Sequence, residues 1–486
     1  MIGAGPNGLS AAIVLAQAGM RVEVYEAEPT IGGAARTMEL TLPGFRHDFG
    51  SAVHPLAVGS PFFSSLPLQE FGLEWIHPPA PLAHPLDGGR AVVLQRDLDA
   101  ADAALGDDDG GVWRRMMEPF VSRWNELCED ILEPVVHWPR HPLLLARFGM
   151  QALLPATTLA KRFRSEQARA LFAGLAAHSF LSLSAPLSGS FGLVLGAAAH
   201  AAGWPIPRGG AQAISDALAG YLTSLGGAIR LSSRVERLSD LPDYDVVLCD
   251  VTPRQLLAMT SAYRGDARAT LSSQSDSYRH ALKQYRYGPA AFKVDYALSR
   301  AIPWNAPECA RAATVHLGGT MEEIAASERT MARGQIAERP FVLVSQPTLF
   351  DPSRAPEGKH IAWAYCHVPH GCGEDMLPRL EAQIERFASG FGDCVLARRV
   401  WAPADLEASD ANLVGGDIMG GAMGPMQLAF RPTARGYRTS SPKVYLCSAS
   451  TAPGGGVHGM CGYNAARVVL KDLGMPTLPL CDRGDC

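Results

Sequence analysis

Two kinds of residue in this chain could do chemistry. The first is a set of glycines with one acid, spaced to hold a dinucleotide. Gly3, Gly5 and Gly8 form a G-x-G-x-x-G run, and Glu26 follows about 20 residues later. Gly3 permits a tight turn, Gly5 lets a diphosphate approach bare backbone, and Gly8 lets a helix pack closely on a sheet. The free N–H groups and partial positive charge of the helix start would face the phosphates. Glu26 is placed to accept the hydroxyls of a ribose. The second kind is a scatter of ionisable side chains able to act as acids, bases or substrate contacts. These are His458 beside Gly454, Gly455 and Gly456, Lys293 and Asp295 in FKVDYAL, and His47, Asp48 and His54 in RHDFGSAVHP.

Each candidate has a plainer reading beside the chemical one. His458 could donate to a cofactor or substrate, or be a core histidine bonded to a backbone carbonyl. Period-two alternation puts Phe292, Val294 and Tyr296 on one face of a strand and Lys293 and Asp295 on the other. That second face is expected to be solvated. Asp48 and Gly50 could line an active cavity or only shape a turn. Cys447 and Cys461 have no nearby partner thiol in the sequence, which argues against a redox role.

The elements that must position these residues can be read from the same stretches. Ala11, Ala12, Leu15 and Ala16 follow helical spacing, Gly19 stops that helix, and Val22 and Val24 alternate as a buried strand. This is a βαβ unit. Its first strand should be central and about five residues long, yet only Met1 and Ile2 precede Gly3. The expectation drawn from this is a native start several residues upstream. A second piece runs through GWPIPRGGAQAISDALAGYLTSLGGAIRL, a turn, a helix and a strand, and continues to the buried strand in DVVLCDVTP. A third piece, KVYLCSASTAPGGGVHGMCGYNAARVVLKDLG, gives a short strand, a glycine loop and a helix over about 462–473. Gly454, Gly455 and Gly456 allow backbone to lie against a flat ring. The helix start after them could stabilise an anion.

IGGAART, FRHDFGSAVHP, YGPAAFKVDYAL and PGGGVHGMCGYNAAR resemble the phytoene desaturase-related group of FAD-dependent oxidoreductases. That group includes carotenoid desaturases and isomerases and retinol saturase-like proteins, within the amine oxidase-type flavoprotein superfamily. The resemblance implies an α/β fold: a glutathione reductase-type, Rossmann-like FAD-binding domain with an interleaved α+β substrate domain. The FAD-binding domain would comprise residues 1–57, 203–262 and 402–474. The substrate domain would comprise 58–202 and 263–401, leaving a tail over 475–486. Gly32, Gly33 and Arg36 would be FAD contacts, with Arg36 facing phosphate oxygens, and Val235 would lie where backbone meets the adenine. A lysine on a strand comparable to that of Lys293 meets flavin N5 through water in amine oxidase relatives. Ser448 departs from the group, which more often has glycine there.

The same resemblance implies hydride transfer between flavin N5 and carbon–carbon bonds of an apolar, polyene- or prenyl-like substrate. With no second G-x-G-x-x-G unit evident, the expected electron acceptor is oxygen or a quinone. Two alternatives stay open: an oxidase of amines or of a porphyrinogen-like ring, and a non-catalytic scaffold carrying apolar cargo, as in Rab GDP-dissociation inhibitors.

Composition narrows the classes further. The chain has 486 residues, 47% hydrophobic, and a formal charge of −5, so no nucleic-acid surface is expected. The ten cysteines show neither C-x-x-C nor zinc spacing, which fits reduced thiols in a cytoplasmic protein, and no metal site is expected. FGLVLGAAAHAAGW is shorter than the roughly 20 apolar residues a span needs, and reads as a buried helix. Peripheral contact with a membrane surface is compatible with this. RDLDAADAALGDDDGG reads as a solvated helix and loop, and TMEEIAASERTMARG as a surface helix.

Overall fold

A computed structural model describes residues 1–260 and 274–477. The 262/263 boundary, most of the 475–486 tail, Cys481 and Cys486 lie outside the described residues.

The N-terminal lobe is built on parallel pairing of very short strands. Glu23–Tyr25 pairs with Ala228–Arg230, and Val444–Leu446 pairs with Val247–Cys249. Ile2 joins the two pairs, bridging in parallel to Tyr25 on one side and to Cys249 on the other. Its neighbours complete the ladder: Gly3 N donates to Tyr25 O at 2.8 Å and Asp250 N to Ile2 O at 2.8 Å. Ile2 therefore sits at the centre of the sheet, where the first strand of a doubly wound fold belongs. Three stretches of chain separated by more than 180 residues are thus joined through one residue.

Helices pack on this sheet as the apolar spacing predicts. Pro6–Gln17 opens with proline in its first turn, which suits a position whose N–H has no helical partner. It crosses Met460–Asp472, and a Cβ added at Gly462 would overlap the carbonyl oxygen of Asn7. Only glycine allows that approach, so the starts of the first and last helices lie against each other.

The second layer is a seven-stranded sheet. Its order is Val395–Trp401, Ala290–Leu298, His360–Val368, Val342–Ser345, Ala312–Leu317, Ala80–Leu86 and Arg90–Leu94. All neighbours are antiparallel except Ala312–Leu317 with Ala80–Leu86. One face of this sheet packs on Phe387, Phe391 and Ile384. The other meets the helical lobe and the N-terminal lobe, with Trp363, Tyr365 and Leu343 in their shared core.

Three expectations need correction. Lys293 and Asp295 are 3% and 0% exposed, not solvated, because both faces of their strand are covered. The acidic stretch is a helix, Leu98–Val121, broken at Gly106, and its Asp109 is buried. Asp109 accepts from the N–H groups of Arg164 and Ser165, so it pins a neighbouring loop. The Met321–Ala332 helix is not wholly superficial either: Glu328 is fully buried against His367, at 2.8 Å. The apolar helix Ser188–Ala201 is buried as expected.

Candidate cofactor and active site

The glycine turn closes on itself. A Cβ at Gly8 would overlap the carbonyl oxygen of Gly3, so the turn cannot hold any larger residue there. Gly5 stands at the cap of the Pro6–Gln17 helix and offers no side chain to its first N–H groups. Asp250, which ends the Val247–Cys249 strand, instead reaches in: its Oδ2 accepts from Gly8 N at 2.9 Å. Burial pushes the Asp250 carboxyl up to about 7, partly offset by the Gly8 bond and reinforced by Asp410 and Glu26.

Glu26 is buried at the edge of the same turn. Its two oxygens accept from Ala4 N at 2.7 Å and Glu28 N at 2.9 Å. Ser233 N donates to Glu26 O at 2.7 Å, which brings the segment carrying half-buried Val235 alongside. Val235 packs against the apolar cluster that contains Ile2 and Val247. The second glycine pair lies directly on the first: Gly32 N donates to Ala4 O at 2.9 Å, and Gly33 faces Gly5. Arg36 is buried, with Nε donating to Gly33 O at 2.6 Å and Nη2 to Ser409 O at 3.0 Å. Its guanidinium lies 5.0 Å from the centre of the Phe49 ring. These contacts tie Arg36 to backbone carbonyls and an aromatic face.

The C-terminal loop emerges beside this turn. Cys447 N donates to Cys249 O, and Ser448 Oγ to Val251 O at 2.8 Å. Ser448 thus fastens the loop to the strand that delivers Asp250, a task glycine could not perform. Gly455 packs on Met419 and Gly456 on His458 and Leu56. His458 is 1% exposed, and its Nδ1 accepts from Met460 N at 3.0 Å. Burial drives its pKa down to about 4, with the Gly454 and Gly455 carbonyls opposing, so the ring is neutral and caps the last helix. This is the core-histidine arrangement. Cys461 Sγ donates to Gly454 O at 3.3 Å, and burial raises its thiol to about 11, which keeps it inert.

The sheet face completes the site. Phe49 meets Trp401 edge-on at 5.1 Å, Trp401 Nε1 donates to Asp295 Oδ2 at 2.9 Å, and Asp295 contacts Lys293 Nζ. Cross-strand register puts Tyr365 opposite Lys293 and Trp363 opposite Asp295. Trp363 Nε1 donates to Gly50 O at 2.7 Å. His47 lies 3.8 Å from the free Oδ1 of Asp295 and is held neutral, its pKa driven to about 3 by burial and by Lys293. Asp48 is a structural hub rather than an acid: it accepts from Ala211 N at 2.8 Å, Thr37 Oγ1 at 2.9 Å and Arg354 Nη2 at 2.9 Å. A line of contacts thus runs from the second glycine pair through Arg36, Phe49 and Trp401 to the Lys293–Asp295 pair.

Residues 1–62 match the model of an NAD(P)-binding Rossmann-like domain. The whole chain is similar to pyridine nucleotide-disulfide oxidoreductase domain-containing protein 2 of Mus musculus, 28% identical over 97% of this chain and 93% of that one. It is also similar to phytoene dehydrogenase of Streptomyces griseus, 27% identical over 94% of this chain and 91% of that one. Among solved structures, a cofactor-binding redesign of putrescine oxidase matches with a TM-score of 0.58 and 16% identity, over 98% of each chain. These similarities support an FAD-dependent oxidoreductase related to phytoene dehydrogenase, and the putrescine oxidase structure shares its fold.

For an FAD-dependent oxidoreductase, the site fits the cofactor in kind. Gly5 gives the helix start no cap of its own, the side chain that meets Gly8 N comes from Asp250, and the turn at Gly3, Gly5 and Gly8 carries no side chain of its own toward a ligand. Two functional candidates escaped sequence reading. Asp250 was legible only as the end of a buried strand, although a charged residue at the carboxyl end of a parallel strand beside a glycine turn is a signal. Arg431 is the other. It is 2% exposed, donates to Ala449 O at 2.8 Å and Met419 O at 3.2 Å, and leaves Nε without a partner beside Gly454. Nothing in FRPTARGYRT marks it as a buried cation.

Proposed function

We propose that this flavoprotein transfers hydride between carbon–carbon bonds of an apolar, polyene- or prenyl-like substrate and the N5 of FAD. One observation carries the reading: three glycine-bearing stretches, far apart in the chain, meet around Ile2 and Asp250 and abut one face of the large sheet. In this reading Gly5, Gly8 and the helix start hold the diphosphate. Glu26 takes the adenosine ribose, and Val235 lies by the adenine. Gly32, Gly33 and Arg36 flank the diphosphate, and Gly454, Gly455 and Gly456 back the ring. Bound FAD supplies a hydride acceptor.

The chain's own residues then exclude water and orient the substrate. His47 and His458 are buried and neutral, so neither is poised as a proton donor at neutral pH. That fits a removal of hydrogen in which one carbon gives its hydride to N5 and the adjacent carbon releases its proton to solvent, a step that calls for no protein acid. Oxygen or a quinone would reoxidise the flavin, and an apolar substrate would be met at a membrane surface. The test is anaerobic bleaching of the bound flavin by a panel of polyenes, retinoids, prenyl compounds and amines. Bleaching by the apolar panel is expected.

The buried Lys293 favours one second reading, oxidation of an amine, because it lies on the sheet face that would meet the flavin. Bleaching by amines alone would replace the first reading with this one.

A further inference from the structure

The helix Pro142–Ala152 breaks the rule for a surface helix. Its inner face, Leu144, Phe148 and Ala152, is buried as expected. Its outer face should be polar, yet Leu143, Met150 and the capping Leu153 are 85%, 70% and 61% exposed. The loop before it adds Val135 and Val136, more than half exposed, and Trp138 at 94%. An apolar helix on both sides, with a protruding tryptophan, is not explained by packing inside this chain.

The loop is held out rigidly. Asp130 is buried, and its carboxylate accepts from Arg140 N at 2.8 Å and His141 N at 2.9 Å, with the His137 ring at 3.2 Å. Three groups on either side of Trp138 are thus clamped to one carboxylate, and the indole is presented outward by design of the backbone.

The charge of this region is unlike that of the chain. Residues 134 to 165 contain no aspartate or glutamate, but carry Arg140, Arg147, Lys161, Arg162 and Arg164, against an overall charge of −5. Arg140 and Arg164 pair with Glu129 and Asp108. Arg147, Lys161 and Arg162 have no carboxylate partner among the described residues, and all three are exposed. Apolar side chains and a tryptophan set among unpaired cations match the boundary of an anionic bilayer, where tails accept the former and headgroups the latter. No helix among the described residues is long and apolar enough to cross a membrane. An open cleft of about 1200 Å³ adjoins the patch through Arg140 and is walled by Phe63, Leu66, Leu68 and Trp75.

We propose that the 135–138 loop and the outer face of the Pro142–Ala152 helix seat this protein on an anionic phospholipid bilayer. The proposal deepens the reading of an apolar substrate, since it names the surface from which such a substrate would be drawn.

The experiment is co-sedimentation of the purified full chain with two kinds of vesicle: phosphatidylcholine alone, and phosphatidylcholine with phosphatidylglycerol. Binding to the anionic vesicles, weakened by added salt, is expected. Arg147→Gln with Lys161→Gln should weaken it about 25-fold, near fivefold for each cation. Trp138→Ser with Leu143→Gln should abolish it while leaving the melting temperature and flavin content unchanged, since all four residues are exposed. Equal binding of wild type and variants, or none by wild type, overturns the proposal. So does a concentration-dependent dimer that the Trp138 variant loses, which would make the patch a contact between copies. Flavin bleaching by substrate is read separately in the same samples, so failure of docking and failure of the proposed chemistry are distinguishable.

Discussion

Asp250 offers the sharpest test of how the glycine turn meets its cofactor. Its carboxyl accepts from Gly8 N at 2.9 Å, at the helix start where a diphosphate should lie. Burial raises its pKa to about 7, so near neutrality it is half ionised. A carboxylate there would repel a diphosphate, so FAD should bind the protonated form. The apparent Kd then scales as one plus the ratio of ionised to neutral Asp250. Between about pH 6 and about pH 8 that factor rises roughly tenfold, equivalent to about 1.4 kcal/mol. Asp250→Asn keeps an acceptor for Gly8 N and removes the charge, so its FAD affinity should match the protonated wild type and stay flat with pH. The same burial affects folding. The unfolded chain releases this proton near 3.8 and the folded chain near 7, so stability falls as pH rises across that window. The total is about 4 kcal/mol, and it persists at higher pH. Asp250→Asn should therefore unfold at a higher urea concentration at about pH 8. Fluorescence titration of FAD into apoprotein across pH is the assay. A wild-type affinity independent of pH, or an asparagine variant with the same pH dependence, would refute the reasoning.

Other consequences follow from single contacts. Gly462→Ala would drive a methyl into the Asn7 carbonyl, so it should cost about 1–3 kcal/mol and weaken FAD binding, read by thermal melts and FAD titration. Lys293→Met alone strands the buried Asp295 and should cost about 3–5 kcal/mol, whereas Lys293→Met with Asp295→Leu should recover most of that in urea denaturation. His54, His84 and His458 are each held neutral by burial, with pKa values near 4. Unfolded histidines take their protons near 6.5, so the unfolded chain is favoured as pH falls between those values, by roughly 3 kcal/mol for each ring. The melting temperature should therefore drop steeply on acidification through that window, and replacing His84 by glutamine should flatten the drop.

The sequence made the cofactor lobe readable because glycine spacing, a helix stop and a terminal acid each have one physical meaning at close range. Gly3, Gly5, Gly8 and Glu26 lie where that spacing implies. Other features depended on what covers a surface. Period-two alternation at Lys293 and Asp295 looks the same whether their face meets water or a helical lobe, and only the packing of Phe49 and Trp401 decides it. The Ala80–Leu86 strand was hidden by Pro81 and Pro85, which argue against a strand with two neighbours. Asp109 and Glu328 sit in stretches whose charge reads as solvated. Each is buried because it accepts from groups far away in the chain, Arg164 and Ser165 for one and His367 for the other. The outer face of Pro142–Ala152 is illegible for the opposite reason, since an apolar residue gives no sign in the sequence that it faces outward.

The central claim is that residues 1–57, the 228–250 region and the 444–473 segment form one FAD site. The most direct measurement is the visible spectrum and flavin content of the purified protein, before and after reconstitution with FAD. The account predicts a yellow protein holding one FAD per chain, whose absorbance bleaches under anaerobic reduction. A folded, colourless protein that takes up no FAD would contradict it.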